Sequence, residues 1–185
     1  MIHPTVMYGD PVLKKKAIAI EPGSMDVISL AEYMFETMYA ANGVGLAAPQ
    51  IGQSVQLFII DTSQLDDEDV GDYKQVFINP EIISENGEKW IFEEGCLSIP
   101  TIREDVERNN TVKIKYVDEQ WEKHEKVFSG ILARIIQHEY DHINGILFTD
   151  HLSPLKKRLL KGKLTDISKG KVEISYRIIA PLAKV

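Results

Sequence analysis

Two histidines four residues apart are the residues of this 185-residue chain whose type and spacing most directly suggest chemistry. His138 and His142 are the first and last residues of the segment HEYDH, and Glu139 follows the first of them. A helix turns about 100° per residue, so both imidazoles would lie on one helix face, about one turn apart in height. Two imidazoles in this arrangement can bind one metal ion, and Glu139 can reach a water molecule beside that ion without being a ligand. The spacing therefore predicts a metal site for hydrolysis.

A chance match on an amphipathic helix is the competing explanation for this motif. The helix is predicted to be largely buried, because apolar residues recur along it at helical spacing. Three ionisable side chains on a buried helix would be costly without partners, and a metal ion would supply that partner. The apolar positions are Ile131, Leu132, Ile135, Ile136 and Ile143.

A catalytic metal also needs a third protein ligand while one coordination position stays open. His151 does not fit the longer HExxHxxGxxH spacing, since the position that should be histidine is Phe148. The other candidate is Cys96, the single cysteine of the sequence, which follows Gly95 in a turn-like segment. A lone cysteine is most often a small buried hydrophobic residue. However, a thiolate with two imidazoles suits zinc or ferrous iron, and we expect Cys96 to complete the site.

Composition limits the class of protein. The sequence has 44% hydrophobic and 26% charged residues, ordinary values for a soluble globular protein. Its net charge of -7 argues against a general nucleic-acid binder, although a local basic patch could still bind RNA. A single cysteine excludes an internal disulfide, and neither a signal pattern nor a membrane-crossing apolar run is present. We therefore expect one cytoplasmic domain over residues 1–185, with a core at about 6–150 and a basic tail at 151–185.

The N-terminal third is predicted to contain one helix and one loop. Helical periodicity begins after Pro22-Gly23, with Ser24 as a candidate N-cap and Gly43 as the stop. Residues 43–52 include three glycines and a proline, which disfavour both a helix and a regular strand, so a shaped loop is expected. The acidic stretch 61–72 is interpreted as a solvated loop or insertion.

The rest of the chain is predicted to be rich in strands, with a helix that carries HEYDH. That helix should begin near Ser129 or Gly130 and end at Asn144-Gly145. A short helix should follow Pro154. Alternating or continuous apolar residues predict strands at 55–60, 76–78, 81–85, 89–92 and 112–116, one ending near residue 128, and one at 172–178. The predicted class is α+β, with mainly antiparallel strands packed around the HExxH helix, a further N-terminal helix and a C-terminal helix and strand tail.

Three segments together resemble the signature motifs of the peptide deformylase family. They are GVGLAAPQIG at 43–52, EGCLSIP at 94–100 and QHEYDHINGILF at 137–148, in the order and separation of that family. The similarity spans roughly Val6 to Phe148. It implies an enzyme that removes the formyl group from the N-terminal formyl-methionine of newly synthesised polypeptides.

The resemblance also implies roles for individual residues. The metal ligands would be Cys96, His138 and His142, and Glu139 would shuttle the proton. The metal would be Fe²⁺ in the cell, with Zn²⁺, Ni²⁺ or Co²⁺ able to substitute. Water activated by this ion would attack the formyl carbonyl.

Further positions match family residues that bind the substrate or the oxyanion. The side-chain amide of Gln50 and the backbone N–H of Leu97 would stabilise the oxyanion, and the backbone of Gly45 would hydrogen-bond the substrate. Arg103 falls near the pocket mouth, although it could equally be a plain surface arginine. The pocket for the first side chain of the substrate would be lined by Val44, Glu94, Ile131, Arg134 and Ile135.

Two other functions stay open at this point. A metalloprotease of the HExxH type would share the helix but would give no role to Cys96 or to residues 43–52. A non-catalytic binding module would need neither Glu139 nor Gln50. The basic C-terminal segment could contact the ribosome, as the resemblance implies, or could be a solvated helix; its basic residues are Lys156, Lys157, Arg158, Lys161, Lys163, Lys169 and Lys171.

Overall fold

The computed structural model describes residues 2–65 and 70–183. In these residues the α-helices are α1 (Val27–Ala40), α2 (Gly130–Ile143) and α3 (Pro154–Ser168). The strands are β1 (Thr5–Val6), β2 (Gly45–Ala47), β3 (Leu57–Asp61), β4 (Lys74–Cys96), β5 (Ile99–Val117), β6 (Lys123–Ser129) and β7 (Ile178–Ile179). Short 3-10 helices occupy Pro11–Lys14, Ala48–Ile51 and Phe148–His151.

The main sheet is an antiparallel meander of five strands in the order β2-β3-β4-β5-β6. Strands β4 and β5 form a long hairpin, and only Leu97 and Ser98 separate them, since Cys96 pairs with Ile99. A separate pair joins the chain ends, with β1 parallel to β7. The α+β class with mainly antiparallel strands is therefore confirmed.

Helices cover both faces of the sheet around β3, where successive side chains point in opposite directions. Leu57 and Ile59 pack in one hydrophobic cluster with α1. Phe58 and Ile60 pack in a second cluster with α2. All four side chains are fully buried. Strand β3 is therefore buried on both faces, with α1 on one side and α2 on the other.

The predicted N-cap of the first helix was wrong. Helix α1 begins at Val27, and the Asp26 carboxylate accepts a hydrogen bond from the backbone N–H of Ser29 at 3.0 Å. The hydroxyl of Ser24 instead donates to the Glu21 carbonyl at 2.7 Å, which closes a turn before the helix. The helix also ends at Ala40, before Gly43. A carboxylate closer to the helix thus replaced the serine as the cap.

The expectation of an irregular loop at residues 43–52 was also wrong. Gly45–Ala47 forms an edge strand, because β3 offers a row of backbone partners from Phe58 to Ile60. Ala48–Ile51 then forms a single 3-10 turn, closed by Gly52 with a left-handed φ of 81°. Tertiary pairing overrode the weak strand preference of glycine.

The remaining predicted strands differ from the structure in extent. The short strands at 76–78, 81–85 and 89–92 belong to the single strand β4, whose register shifts mark bulges rather than breaks. The alternating tail at 172–178 forms strand only at Ile178–Ile179, where β1 supplies a partner. Helix α3 is longer than predicted and reaches Ser168.

Part of the acidic stretch at 61–72 cannot be compared with the prediction. Asp61 is the last residue of β3, and residues 66–69 lie outside the described residues. No helix in the described part of the chain combines the length and the hydropathy needed to cross a bilayer.

Candidate active site

Helix α2 and the tip of the β4–β5 hairpin bring three donor atoms to one point. The Nε2 atoms of His138 and His142 lie 3.2 Å apart, one helical turn from each other. The Sγ atom of Cys96 lies 3.3 Å from His142 Nε2. All three donor atoms lie within 4.8 Å of one another. The structure thus brings together the three residues that the sequence suggested as metal ligands.

The chemistry of this donor set fits a divalent metal ion. A thiolate and two imidazoles are borderline-soft ligands of the kind that zinc and ferrous iron prefer. Beside them, the Oε2 atom of Glu139 is buried and has no hydrogen-bond partner among the described residues. A buried carboxylate oxygen without a partner is costly, and a ligand or ordered water at the site would satisfy it.

The side chain of Gln50 points its amide group at the same point. Its Nε2 atom lies 3.4 Å from Cys96 Sγ and 3.3 Å from Ser98 Oγ. Its Oε1 atom accepts a hydrogen bond from the backbone N–H of Ala47 at 2.9 Å, which orients the amide. The 3-10 turn Ala48–Ile51 therefore presents an N–H donor towards the space beside the three donor atoms.

Glu139 is held in a confined, water-poor position. Its side chain is buried on α2, and burial raises the pKa of its carboxyl to about 7. A Cβ atom at Gly45 would lie 2.5 Å from Glu139 Oε1, so the backbone of β2 passes directly against the carboxylate. A carboxyl that titrates near neutrality is suited to both accept and donate a proton.

A buried ion cluster around Glu94 supports His138. The Glu94 carboxylate accepts hydrogen bonds from His138 Nδ1 at 2.9 Å and from Arg108 Nε and Nη2 at 2.6 and 3.0 Å. Arg134 Nη1 donates to the same carboxylate at 2.9 Å. Burial alone would raise the pKa of Glu94, but the hydrogen bonds from His138 and Arg108 hold it well below its usual range.

This cluster orients the His138 ring so that its Nε2 atom faces the other two donor atoms. With the proton on Nδ1 shared with a carboxylate, the Nε2 lone pair is free to face the other donors. Sequence reasoning assigned Glu94 to the pocket wall and missed Arg108, which also bonds Asp141 at 2.8 Å. The available signal was a charged residue at an inward position of a strand, which requires a buried partner.

A pocket of ≈ 450 Å³ opens in front of these groups. Its wall includes the six residues expected to bind substrate beside Gly45: Val44, Glu94, Arg103, Ile131, Arg134 and Ile135. Leu97, the residue predicted to donate its N–H to the oxyanion, lines it at the hairpin tip. Sequence reasoning missed Leu65 and Phe92, which also line the pocket.

The two arginines of the pocket differ in burial and in the contacts of their guanidinium groups. Arg134 is buried, and its guanidinium lies 4.4 Å from the ring centroid of Trp90 and donates to the Trp90 carbonyl at 2.7 Å. Arg103 is 59% exposed and pairs with Glu93 at 2.7 Å. Arg134 is therefore a fixed part of the wall, whereas Arg103 lies at the mouth.

Comparison with known proteins places this chain in a family. The family model described as polypeptide deformylase matches residues 2–158. A peptide deformylase of Cytophaga hutchinsonii is 56% identical over 184 residues and covers 100% of both chains. One of Christiangramia forsetii is 55% identical over 193 residues, covering 100% of this chain and 98% of the relative.

Solved structures similar to this chain are peptide deformylases as well. A crystal structure of a peptide deformylase from Legionella pneumophila matches with a TM-score of 0.81 and 40% identity, covering 92% of this chain and 98% of that one. A peptide deformylase from Plasmodium falciparum matches with a TM-score of 0.79 and 35% identity, covering 88% and 94%. The chain belongs to the polypeptide deformylase family, whose members are enzymes that remove the formyl group from the N-terminus of new polypeptides.

Proposed function

We propose that the pocket binds the formyl-methionyl N-terminus of a nascent polypeptide and that one divalent metal ion is held by Cys96, His138 and His142. The observation that carries this proposal is the convergence of the three donor atoms beside the buried Glu139 carboxylate and the Gln50 amide. A purely structural metal site would need neither of these two side chains.

In this mechanism, the protein residues handle the proton and the developing charge. The ion, when bound, would acidify a water molecule and polarise the formyl carbonyl. Glu139 accepts the proton of the attacking water and passes it to the departing amine, which makes the amide a competent leaving group. Gln50 Nε2 and the backbone N–H of Leu97 stabilise the oxyanion, and one such donor is typically worth about 3 kcal/mol of barrier.

Substrate selectivity would come from the pocket wall and the edge of β2. The backbone of Gly45 hydrogen-bonds the substrate, while Val44, Ile131 and Ile135 contact the methionine side chain. One missing methylene in an apolar pocket costs only about 1–3 kcal/mol, so selectivity among first residues should be graded. Arg103 at the mouth contacts later residues of the peptide.

The decisive experiment measures formate release from a formyl-Met peptide. Glu139→Gln keeps the shape of the side chain, so we expect normal metal content and a rate lowered by about 1,000-fold or more. The matched control is Glu32→Gln, on the exposed side of α1, which should keep the wild-type rate. Wild-type activity in Glu139→Gln would remove its proposed role, and cleavage of internal bonds in blocked peptides would favour the metalloprotease alternative.

We further propose that the ion in the cell is Fe²⁺, with Zn²⁺, Ni²⁺ or Co²⁺ able to substitute. Support comes from the thiolate, which lowers the net charge of the site and favours a soft, redox-capable ion. Metal analysis of anaerobically purified protein tests this directly. Iron-loaded enzyme should lose activity in oxygen faster than nickel-loaded enzyme, through oxidation of iron and of Cys96; equal losses would contradict it.

Finally, we propose that the basic side chains of α3 contact the ribosome, where formylated chains emerge in the cytoplasm. Support comes from the local charge in a chain whose net charge is -7 and from exposed Leu155 and Leu159 among the basic residues. Attraction to rRNA should weaken steeply with salt. Co-sedimentation with ribosomes at low and high salt tests this, and absent or salt-insensitive binding would identify α3 as a solvated helix.

A further inference from the structure

The last part of the C-terminal tail, residues 169–183, lies beyond the residues matched by the family model and returns to the active-site hairpin. The phenol group of Tyr176 donates a hydrogen bond to the backbone carbonyl of Leu97 at 2.8 Å, across 79 positions of sequence. Its half-buried ring and Cys96 pack against the same hydrophobic cluster. One tail side chain thus contacts the two-residue tip that separates β4 from β5.

The tail is fixed in place by the strand pair at the chain ends. The N–H of Thr5 donates to the Arg177 carbonyl at 2.8 Å, directly after Tyr176, and the N–H of Met7 donates to the Ile179 carbonyl at 2.9 Å. At the next residue of the tip, the N–H of Tyr8 donates to the Ser98 carbonyl at 2.9 Å.

Both carbonyls of the hairpin tip are therefore held from outside the hairpin. The Leu97 carbonyl is bonded by Tyr176 and the Ser98 carbonyl by the backbone of Tyr8. The tip itself has only two residues between paired strand ends, so rotation of one peptide changes the direction of its neighbours. Holding the Leu97 carbonyl restricts ψ of Leu97, and with it the peptide that carries the Leu97 N–H.

We propose that Tyr176 is a positioning residue of the deformylation site: its hydroxyl holds the hairpin tip so that the Leu97 N–H is aimed at the oxyanion. This inference rests on the proposed role of Leu97. Tyr176 does not touch the reacting atoms; it acts through the Leu97–Ser98 peptide. Small displacements of groups at a reaction centre lower rates strongly, because alignment is part of the barrier.

The test is Tyr176→Phe, which removes the hydroxyl and keeps the ring packed. We expect kcat per bound metal ion to fall about tenfold, while KM and metal content stay within about twofold of wild type, as for an interaction that acts in the transition state. The matched control is Tyr33→Phe, which also removes one hydroxyl, on α1 beside His3. It should keep the wild-type kcat.

The outcomes separate this role from the proposed function itself. If the wild type releases no formate, the proposed function fails before the variant is measured. If the wild type is active and Tyr176→Phe has the same kcat, the positioning role is overturned. A fall in rate fully explained by lost metal, or by a melting temperature near the assay temperature, would assign the hydroxyl to stability alone and would also overturn it.

Discussion

The backbone of Gly45 lies so close to the carboxylate of Glu139 that a side chain at residue 45 would force one of the two to shift. A Cβ at residue 45 would lie 2.5 Å from Oε1 and 2.9 Å from Cδ of Glu139. Contacts below about 3 Å between such atoms are strongly repulsive, and both partners are packed on regular elements. The neighbouring carboxylate, for which we propose the acid–base role, therefore favours glycine at this position, besides the proposed contact of Gly45 with substrate.

Gly45→Ala should displace the Glu139 carboxylate and lower kcat/KM for formate release by about 100-fold, since a shift of about 1 Å in a catalytic group has that effect. Gly162→Ala is the control: it lies in α3 with no heavy atom within 4 Å of the new methyl group. That variant should keep its rate and gain about 0.5–1 kcal/mol of stability, because alanine loses less entropy in a helix. Wild-type activity in Gly45→Ala would contradict this prediction, because it would show that the Glu139 carboxylate can accommodate the methyl group without loss of function.

Two adjacent glutamates provide a test of the buried ion cluster. Glu94→Gln removes the charge that compensates Arg108 and Arg134. Because this breaks a buried ion pair, it should lower the free energy of unfolding by about 3–5 kcal/mol. Glu93→Gln removes an exposed pairing with Arg103 and should cost about 1 kcal/mol or less. Urea unfolding of both variants in metal-free form measures the difference. If both variants lowered the free energy of unfolding by the same amount, the buried ion cluster would add no stability beyond that of an exposed ion pair.

At the scale of elements, the turn between β5 and β6 depends on one carboxylate. Asp118 accepts hydrogen bonds from the backbone N–H groups of Gln120 and Glu122 at 3.0 and 2.9 Å and bonds His124 Nε2 at 2.6 Å. Burial alone would raise the pKa of Asp118, but these hydrogen bonds, the one to His124 foremost, lower it. The turn should therefore be more stable when this group is ionised.

Asp118→Ala should lower the free energy of unfolding by about 1.5–3 kcal/mol at neutral pH, as expected for hydrogen bonds to a charged group. Because the folded pKa is depressed, this advantage is full above the unfolded pKa of about 3.9 and is lost as the pH falls through the folded pKa. Denaturant unfolding of wild type and variant at neutral and acid pH measures it. Glu122→Gln, exposed on the same turn, is the control; a pH-independent difference would contradict the assignment.

At the scale of the whole molecule, the proposed ion would join two distant parts of the chain. Cys96 lies at the hairpin tip, and the two histidines lie on α2. A ligand that binds only the folded state stabilises it by mass action, by about 2.7 kcal/mol at a concentration 100 times its Kd. The ion should therefore act as a cross-link between the sheet and the central helix.

Removal of the metal should lower the melting temperature, and Zn²⁺ added to metal-free, reduced protein should restore it. Calorimetry with and without a chelator measures this without any assay of activity. Cys96→Ala should largely abolish the rise in melting temperature on adding Zn²⁺, whereas Gly162→Ala should retain it. An equal shift in Cys96→Ala would mean that the ion binds elsewhere.

The sequence by itself determined the main helix, most strand positions and the ligand candidates. Periodicity and spacing are local properties, so HEYDH predicted two histidines on one face of α2, and alternation at 112–116 predicted part of β5. It did not determine the extent of β4, since bulges and strand breaks look alike in a pattern. For α1, it placed the cap at Ser24 because two capping residues compete within three positions.

Only the tertiary structure decided which distant residues meet. The partners of Glu94 come from β5 and α2, and Tyr176 reaches Leu97 from the far end of the chain. Ile178–Ile179 forms a strand because β1 lies beside it, whereas residues 172–177 alternate equally well but form no strand. Contacts between distant segments depend on how the elements pack, and the local periodicity of a sequence does not predict which segments will pair.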